Sequence, residues 1–217
     1  MATKSHKYGF IYQNSDSLHH HEYLIKPLLE MVSKLTSDID PDHKLRILDI
    51  GCGNGSLTYL LSQAGYEVVG TEQSESGVEL AQKSYPECSF IRADIYNFPV
   101  EEFQNQFDII ISAEVIEHLF SPRELLRVAH KCLKPTGKLI LTTPYHGYLK
   151  NLVLALFDKM DRHYTTLWDG GHIKFFSVAT LTSILEQEGY ENIQFKFAGR
   201  YPFLWKTMLC SCSPTRS

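Results

Sequence analysis

Two short stretches of the chain carry residue types and spacings that could do chemistry. The first is Leu48-Asp49-Ile50-Gly51-Cys52-Gly53-Asn54-Gly55, a carboxylate near the end of an apolar run followed by three glycines within five positions. Glycine allows a sharp turn and lets a ligand approach closer than any Cβ would permit. A dinucleotide turn would read G-x-G-x-x-G, its third glycine beneath a pyrophosphate at a helix N-terminus. Here that place belongs to Ser56, the third glycine comes one residue early at Gly55, and the loop holds no Lys or Arg to neutralise a phosphate. The ligand indicated is a nucleoside without a phosphate, a description that S-adenosylmethionine (SAM) fits, and Asp49, Gly51, Cys52, Gly53 and Gly55 are its candidate contacts.

The second stretch is Ala113-Glu114-Val115-Ile116-Glu117-His118. If it begins a helical turn, positions 114, 117 and 118 stand at i, i+3 and i+4 and share one face. Two carboxylates that close are costly unless something neutralises them, so a divalent cation is one reading. A further ligand would come from Gly170-Gly171-His172. Oxygen-rich ligands with one or two imidazoles favour magnesium or manganese, with zinc a third choice. The other reading leaves Glu114 and Glu117 solvated and packs His118 at a helix end. His146 or His118 would act as general base where no metal does that work.

Strands must deliver these residues to one place. Arg46 to Ile50 reads as a short buried strand, Tyr66 to Thr71 as a second and Ser89 to Arg92 as a third. The second ends at Glu72, about twenty residues past the turn, where a carboxylate accepts from ribose hydroxyls. The third leads to Asp94 and Ile95, placed to accept from the adenine amino group and to cover its ring, although Asp94 also reads as a helix cap. Gln73 beside Glu72 and Ala113 at the end of a strand over 107–112 complete the expected cofactor contacts. Helices over 56–64, 74–84, 122–133 and 177–188 alternate with these strands and one over 137–143. That order means a mostly parallel sheet wrapped by helices on both faces.

Ser121-Pro122-Arg123-Glu124 spells a capping box with proline at the first helical position, and Pro135-Thr136-Gly137 a turn. Residues 1–43 form an N-terminal helical cap, with helical spacing from Leu18 to Leu35 interrupted by Pro27 and a His19-His20-His21 triplet read as solvated. Residues 144–172 break the alternation and suit a lid, where acceptor contacts should concentrate. Within it, LKNLVLALFDKM is apolar with flanking lysines, which fits a membrane surface, a lipophilic pocket or a buried helix. Strands near 192–198 and 203–210 read as a terminal hairpin-like addition, with Phe203, Leu204 and Trp205 extending the lid's apolar surface or joining the core.

At 217 residues the chain suits one α/β domain with decoration. A formal charge of −4 gives no basic footprint for nucleic acid, so none is expected as partner. Five cysteines, odd in number and without C-x-x-C spacing, read as reduced thiols. No signal-peptide core or membrane-spanning run is present, and the expected compartment is the cytoplasm.

With those residues in place, the chain resembles the class I SAM-dependent methyltransferases across roughly residues 40 to 145, on LDIGCGNG, Glu72, Asp94 and EVIEH. Within them it looks most like the ubiquinone-pathway O-methyltransferases of the 3-demethylubiquinol type. The resemblance implies a Rossmann-like seven-stranded α/β sheet and direct methyl transfer from SAM to a small phenolic or quinol-like acceptor. The E-x-x-E-H segment is also similar to one in the small-RNA 3′-terminal 2′-O-methyltransferases, which implies metal-ligand roles for Glu114, Glu117, His118 and His172. The lid from Tyr145 to Gly171 departs from the quinol enzymes, so acceptor identity does not carry over. The alternatives are a metal-independent O- or N-methyltransferase of a natural product and a SAM-binding partner protein without catalysis.

Overall fold

A computed structural model describes residues 22–36, 43–164, 166–168 and 170–215; the His19-His20-His21 triplet lies outside them. In chain order the elements are α1 (Glu22–Thr36), β1 (Arg46–Ile50), α2 (Ser56–Gln63), β2 (Glu67–Glu72), α3 (Glu75–Ser84), β3 (Ser89–Arg92), α4 (Val100–Phe103), β4 (Phe107–Ala113), α5 (Pro122–Cys132), β5 (Leu133–Pro144), α6 (Tyr148–Leu156), α7 (Met160–Tyr164), α8 (Val178–Gln187), β6 (Tyr190–Ala198) and β7 (Thr207–Pro214). The strands form one seven-stranded sheet in the order β3-β2-β1-β4-β5-β7-β6. Pairings from β3 through β5 are parallel, and β7 runs antiparallel to both of its neighbours.

Alternation along the strands splits the core into two layers, because successive side chains point to opposite faces. Ile47, Ile109, Ile111 and Ile140 pack with Leu24, Leu28 and Val32 of α1 and Leu57 and Leu61 of α2. Leu48, Ile110, Leu139 and Leu141 pack on the other face with Leu125, Leu126 and Ala129 of α5 and Leu181 and Leu185 of α8. Helices therefore cover both faces, as parallel strands require.

Local structure departs from the sequence reading in four places. The chain over 190–214 is no addition: β7 slots between β5 and β6 and is buried along its whole length. Ser121 offers no side-chain cap to α5; Glu124 pairs with Arg127 instead, at 2.8 Å, and Pro122 alone marks the start. The reciprocal capping box forms at Ser177 and Thr180, before α8. Pro135 to Gly137 lie inside a longer β5 as an irregularity, where the pairing with β4 jumps from Phe107–Leu133 to Ile109–Lys138. Helix α1 runs through Pro27 as one helix. No helix among the described residues is long and apolar enough to cross a membrane.

Candidate active site

The cofactor side is built at the C-terminal ends of four neighbouring parallel strands, β3-β2-β1-β4, which end near Asp94, Glu72, Asp49 and Ala113. Open α/β sheets bind ligands outside these ends, at the point where strand order reverses, and here that point lies between β1 and β4. Backbone amides of Gly51 and Cys52 both donate to the Thr71 carbonyl, at 2.7 and 3.0 Å, stitching the turn onto the end of β2. The Glu72 carboxylate completes the seam, accepting from Gly53 N at 3.0 Å and Ser74 N at 2.8 Å. Those bonds occupy two of about four acceptor positions on a carboxylate, leaving capacity for sugar hydroxyls.

Gly51, Gly53 and Gly55 all take the left-handed conformation, with φ of 78°, 58° and 80°. A Cβ at Gly55 would stand 2.6 Å from Phe90 Cζ and 2.8 Å from Ala81 Cβ, and one at Gly51 2.5 Å from Val115 Cγ2. The turn therefore needs glycine for its own packing as well as for a ligand. Asp49 is 1 % exposed, and its Oδ2 accepts from Thr58 Oγ1 at 2.7 Å. Burial, opposed by the Thr58 bond and aided by the Glu72 charge, moves its carboxyl up to about 7. Burial raises Glu72 as well, against its backbone hydrogen bonds. Two buried carboxylates with raised affinity for protons suit a cationic ligand, and SAM brings a sulfonium and an ammonium.

Asp94 caps the short 3-10 turn Ile95–Asn97, its Oδ1 accepting from Tyr96 N at 3.0 Å. The cap reading is the one observed, and the second carboxylate oxygen takes no part in it. Ile95 is half-buried against the α5 face, Ala113 half-buried against the α1 face, Cys52 buried in the turn and Gln73 exposed beside Glu72.

The E-x-x-E-H segment does not form the α-helical face expected of it. Glu114 takes φ of 56°, an unfavourable conformation for a residue with a Cβ. It is held there by Thr142: the Glu114 amide donates to Thr142 O and Oγ1, each at 3.1 Å, and Thr142 Oγ1 donates to the Glu114 carboxylate at 2.8 Å. A 3-10 turn, Ile116–His118, follows. Glu114 is therefore turned toward β5, and the residues brought together are Glu117, His118 and His172, with potential ligand atoms all within 4.8 Å of one another. The distant His172 arrives because the Ile173 and Lys174 amides both donate to the Glu117 carbonyl, at 2.9 Å.

Glu117 is 0 % exposed, and neither carboxylate oxygen accepts a well-aligned hydrogen bond, the Thr143 hydroxyl being close enough only to act weakly against its burial. Burial first, then the Glu114 charge, holds its carboxyl well above the ordinary range. His172 Nε2 stands 3.9 Å from Glu117 Oε1, and burial with the His118 charge lowers its imidazole to about 4. His118 Nδ1 lies 2.9 Å from the Gly170 carbonyl; donation there selects the tautomer with its lone pair on Nε2. The donor set thus comprises one carboxylate and two neutral imidazoles.

The segment expected to form a lid holds α6 and α7. His146 is buried, the Asn151 side chain acts on its imidazole as a hydrogen-bond partner, and its ring meets those of His163, Tyr164 and Phe175 at 5.2 to 5.9 Å. Burial, then the charge of Lys150, lowers it to about 4, which makes it a weak base. The buried-helix reading of α6 does not hold: Tyr148, Leu149, Leu152 and Leu156 are exposed and Lys150 is its buried residue. Sequence reasoning missed that lysine, and also Thr58 and Thr142, which hold Asp49 and Glu114. A Thr at i+9 from the strand-end Asp was a usable signal; nothing local pointed to Thr142 or Lys150. Trp205 stacks on Phe197 at 4.2 Å, while Phe203 stays exposed.

The family described as "Methyltransferase domain" matches residues 18–195. The chain is 31 % identical over 190 residues to a ubiquinone biosynthesis O-methyltransferase of Ruegeria sp. strain TM1040, covering 81 % of this chain and 75 % of that protein. It is 30 % identical over 165 residues to the protein of that name from Ruegeria pomeroyi, covering 75 % of this chain and 66 % of that one. The crystal structure of magnesium protoporphyrin IX methyltransferase from Synechocystis, with bound SAH, superposes with a TM-score of 0.66 at 21 % identity, over 96 % of this chain and 91 % of the other. The fold agrees with these matches, and the chain belongs to the class I SAM-dependent methyltransferases, alongside the ubiquinone-pathway enzymes.

Proposed function

We propose that this enzyme transfers the methyl group of SAM to a hydroxyl of a small phenolic or quinol-like acceptor, assisted by a divalent cation at Glu117, His118 and His172. The name borne by its ubiquinone-pathway relatives supports the acceptor class. One observation carries the rest: a carboxylate with no exposure and no well-aligned hydrogen bond, facing two imidazoles. An unpaired buried carboxylate costs several kcal/mol, about the scale at which a protein would not keep it without a counter-charge. With Glu114 turned away, two nitrogen donors and one oxygen suit zinc or manganese better than magnesium.

The chain's own part is to bind, orient and exclude water. The methyl group of SAM is already strongly electrophilic, so holding it in line with an oxygen nucleophile supplies most of the catalysis. Asp49, Glu72, Gln73, Asp94, Ile95 and Ala113, with Gly51 to Gly55, would hold the donor, and the lid would close on the acceptor. A cation bound at Glu117 would supply Lewis acidity that lowers the acceptor hydroxyl's pKa. His146 is the poorer candidate for that proton, since its lowered basicity weakens it as a base. The exposed Tyr148, Leu149, Leu152, Leu156 and Phe157 support a lipophilic acceptor or contact with a membrane surface.

Incubation with labelled SAM and 4-methylcatechol tests this, with zinc, manganese or magnesium and with excess EDTA. Label on a catechol oxygen, lost on chelation and restored by metal, is expected. Full activity in EDTA would remove the cation, and tight SAM binding without transfer would favour a non-catalytic partner protein.

A further inference from the structure

The turn that delivers His172 also carries a tryptophan whose placement neither the cofactor side nor the core explains. The Gly171 amide donates to the Trp168 carbonyl at 3.0 Å, which closes the turn. A Cβ at Gly171 would stand 3.0 Å from that carbonyl and 3.4 Å from Trp168 Cε3, so the indole folds down over a residue with no side chain. From there its ring reaches both imidazoles of the donor set, with centroids 6.2 Å from His118 and 6.3 Å from His172. The same turn orients His118, whose Nδ1 lies 2.9 Å from the Gly170 carbonyl. Yet Trp168 is 50 % exposed, and Leu167 beside it is exposed as well. An aromatic side chain contributes to packing chiefly through the ~150–250 Å² that it removes from water, and much of that is forgone here.

Trp168 also lines a cavity of about 640 Å³, together with Asp161, Arg162, Thr166 and Leu167. That volume falls within the ~300–1,000 Å³ of small-molecule sites. One residue is thus shared by the cavity wall and the Glu117 group, touching two of the three donors by ring contact. Aromatic rings attract one another in offset or edge-on arrangements with centroids ~4.5–7 Å apart, and the indole is the largest such surface a side chain offers. We infer that Trp168 determines acceptor specificity: its indole stacks on the aromatic ring of the methyl acceptor and aims the ring's hydroxyl at Glu117, His118 and His172. This rests on the acceptor reading above. Leucine at this position would fill space without a π face, whereas phenylalanine would keep a smaller one.

The test is calorimetric binding of two probes to the protein loaded with SAH and zinc. One is 4-methylcatechol; the other is acetohydroxamate, which chelates a metal but has no ring to stack. Trp168→Leu should weaken 4-methylcatechol about tenfold, the upper end of what ring stacking contributes, and Trp168→Phe should restore most of it. Acetohydroxamate should bind all three proteins equally, a result that a merely structural role for the indole would not give. In turnover the leucine variant should show a raised KM for the catechol with kcat much less changed. Unchanged catechol affinity in Trp168→Leu overturns the inference. So does an equal loss for both probes, since the indole would then only hold the turn, and so does failure of the unaltered protein to bind the catechol. Should Trp168→Leu not fold, Trp205→Phe leaves Trp168 as the one indole of the chain. Its fluorescence must then be quenched by 4-methylcatechol and not by acetohydroxamate, and no quenching overturns the inference equally. Methyl transfer separates the claims. Transfer with a KM indifferent to Trp168 leaves the phenol reading standing alone, whereas catechol binding that depends on Trp168 without transfer removes that reading and keeps the ring site.

Discussion

Asp49→Asn should stabilise the empty protein and weaken its hold on SAM, two effects of opposite sign from one proton. The Asp49 carboxyl moves from 3.8 to about 7 on folding because it is fully buried. The folded state therefore keeps its proton to higher pH than the unfolded chain, so the stability it contributes is fully present below 3.8 and lost as pH rises through about 7. At about 1.4 kcal/mol for each tenfold change in proton affinity, the full penalty is ~4 kcal/mol. Between about pH 5 and about pH 8 it amounts to ~2.5 kcal/mol. Asparagine keeps an oxygen for Thr58 Oγ1 and cannot ionise. Urea unfolding of the SAM-free proteins across that range should show the variant's advantage growing with pH. Glu114 and Glu117 titrate in both proteins, so the difference between the curves isolates Asp49. Calorimetry should show SAM binding weakened about tenfold, and SAH, which lacks the sulfonium charge, affected less. Parallel stability curves would refute the reasoning, because the carboxyl would then not be giving up solvation on folding.

Glu72→Gln replaces a carboxylate that accepts from Gly53 and Ser74, and charged hydrogen bonds of this kind contribute ~1.5–3 kcal/mol each; SAM affinity measured by calorimetry should fall at least about tenfold, and an unchanged value would place the ribose elsewhere. Gly55→Ala meets Phe90 and Ala81 at a φ of 80° and should lower stability by more than ~2 kcal/mol, whereas Gly65→Ala, at a φ of 96° with nothing within 4 Å, should cost only about 1 kcal/mol of backbone strain; thermal unfolding compares them. His172→Ala should abolish metal retained through gel filtration, read by elemental analysis, while leaving SAH affinity intact. Tyr190→Phe removes a buried bond to Leu126 O of 2.6 Å and should cost ~1–3 kcal/mol in denaturant unfolding, through the carbonyl left unpaired.

Much of the cofactor side was legible because its determinants are local. An apolar run ending in an acid fixes where a strand stops, and the turn's glycines fix how the chain leaves it, so Asp49, Glu72 and Asp94 arrive on adjacent strands from alternation alone. Glu114 was misplaced because the i, i+3, i+4 argument assumes an α-helix. A hydrogen bond from Thr142, 28 positions away, holds Glu114 in a left-handed conformation that no local pattern announces. The Ser121 box failed for a related reason: Arg127 offered Glu124 an ion pair, and Glu188 a network with Arg123 and Arg127, that outcompete a reach back to the cap. Lys150 hid in an apolar run, where a lysine reads as a solvated flank rather than as the buried member of the helix.

The placement of β7 bears on how the protein is made. Strands β5 and β6 leave the ribosome first, yet they do not pair with each other, and both wait for a later segment that wedges between them. During synthesis each exposes an open edge, with Leu139, Ile140 and Leu141 on one and Phe195 and Phe197 on the other. Any nascent chain stalled before Thr207 is therefore a sticky species, and demand for chaperones should fall abruptly once that segment emerges.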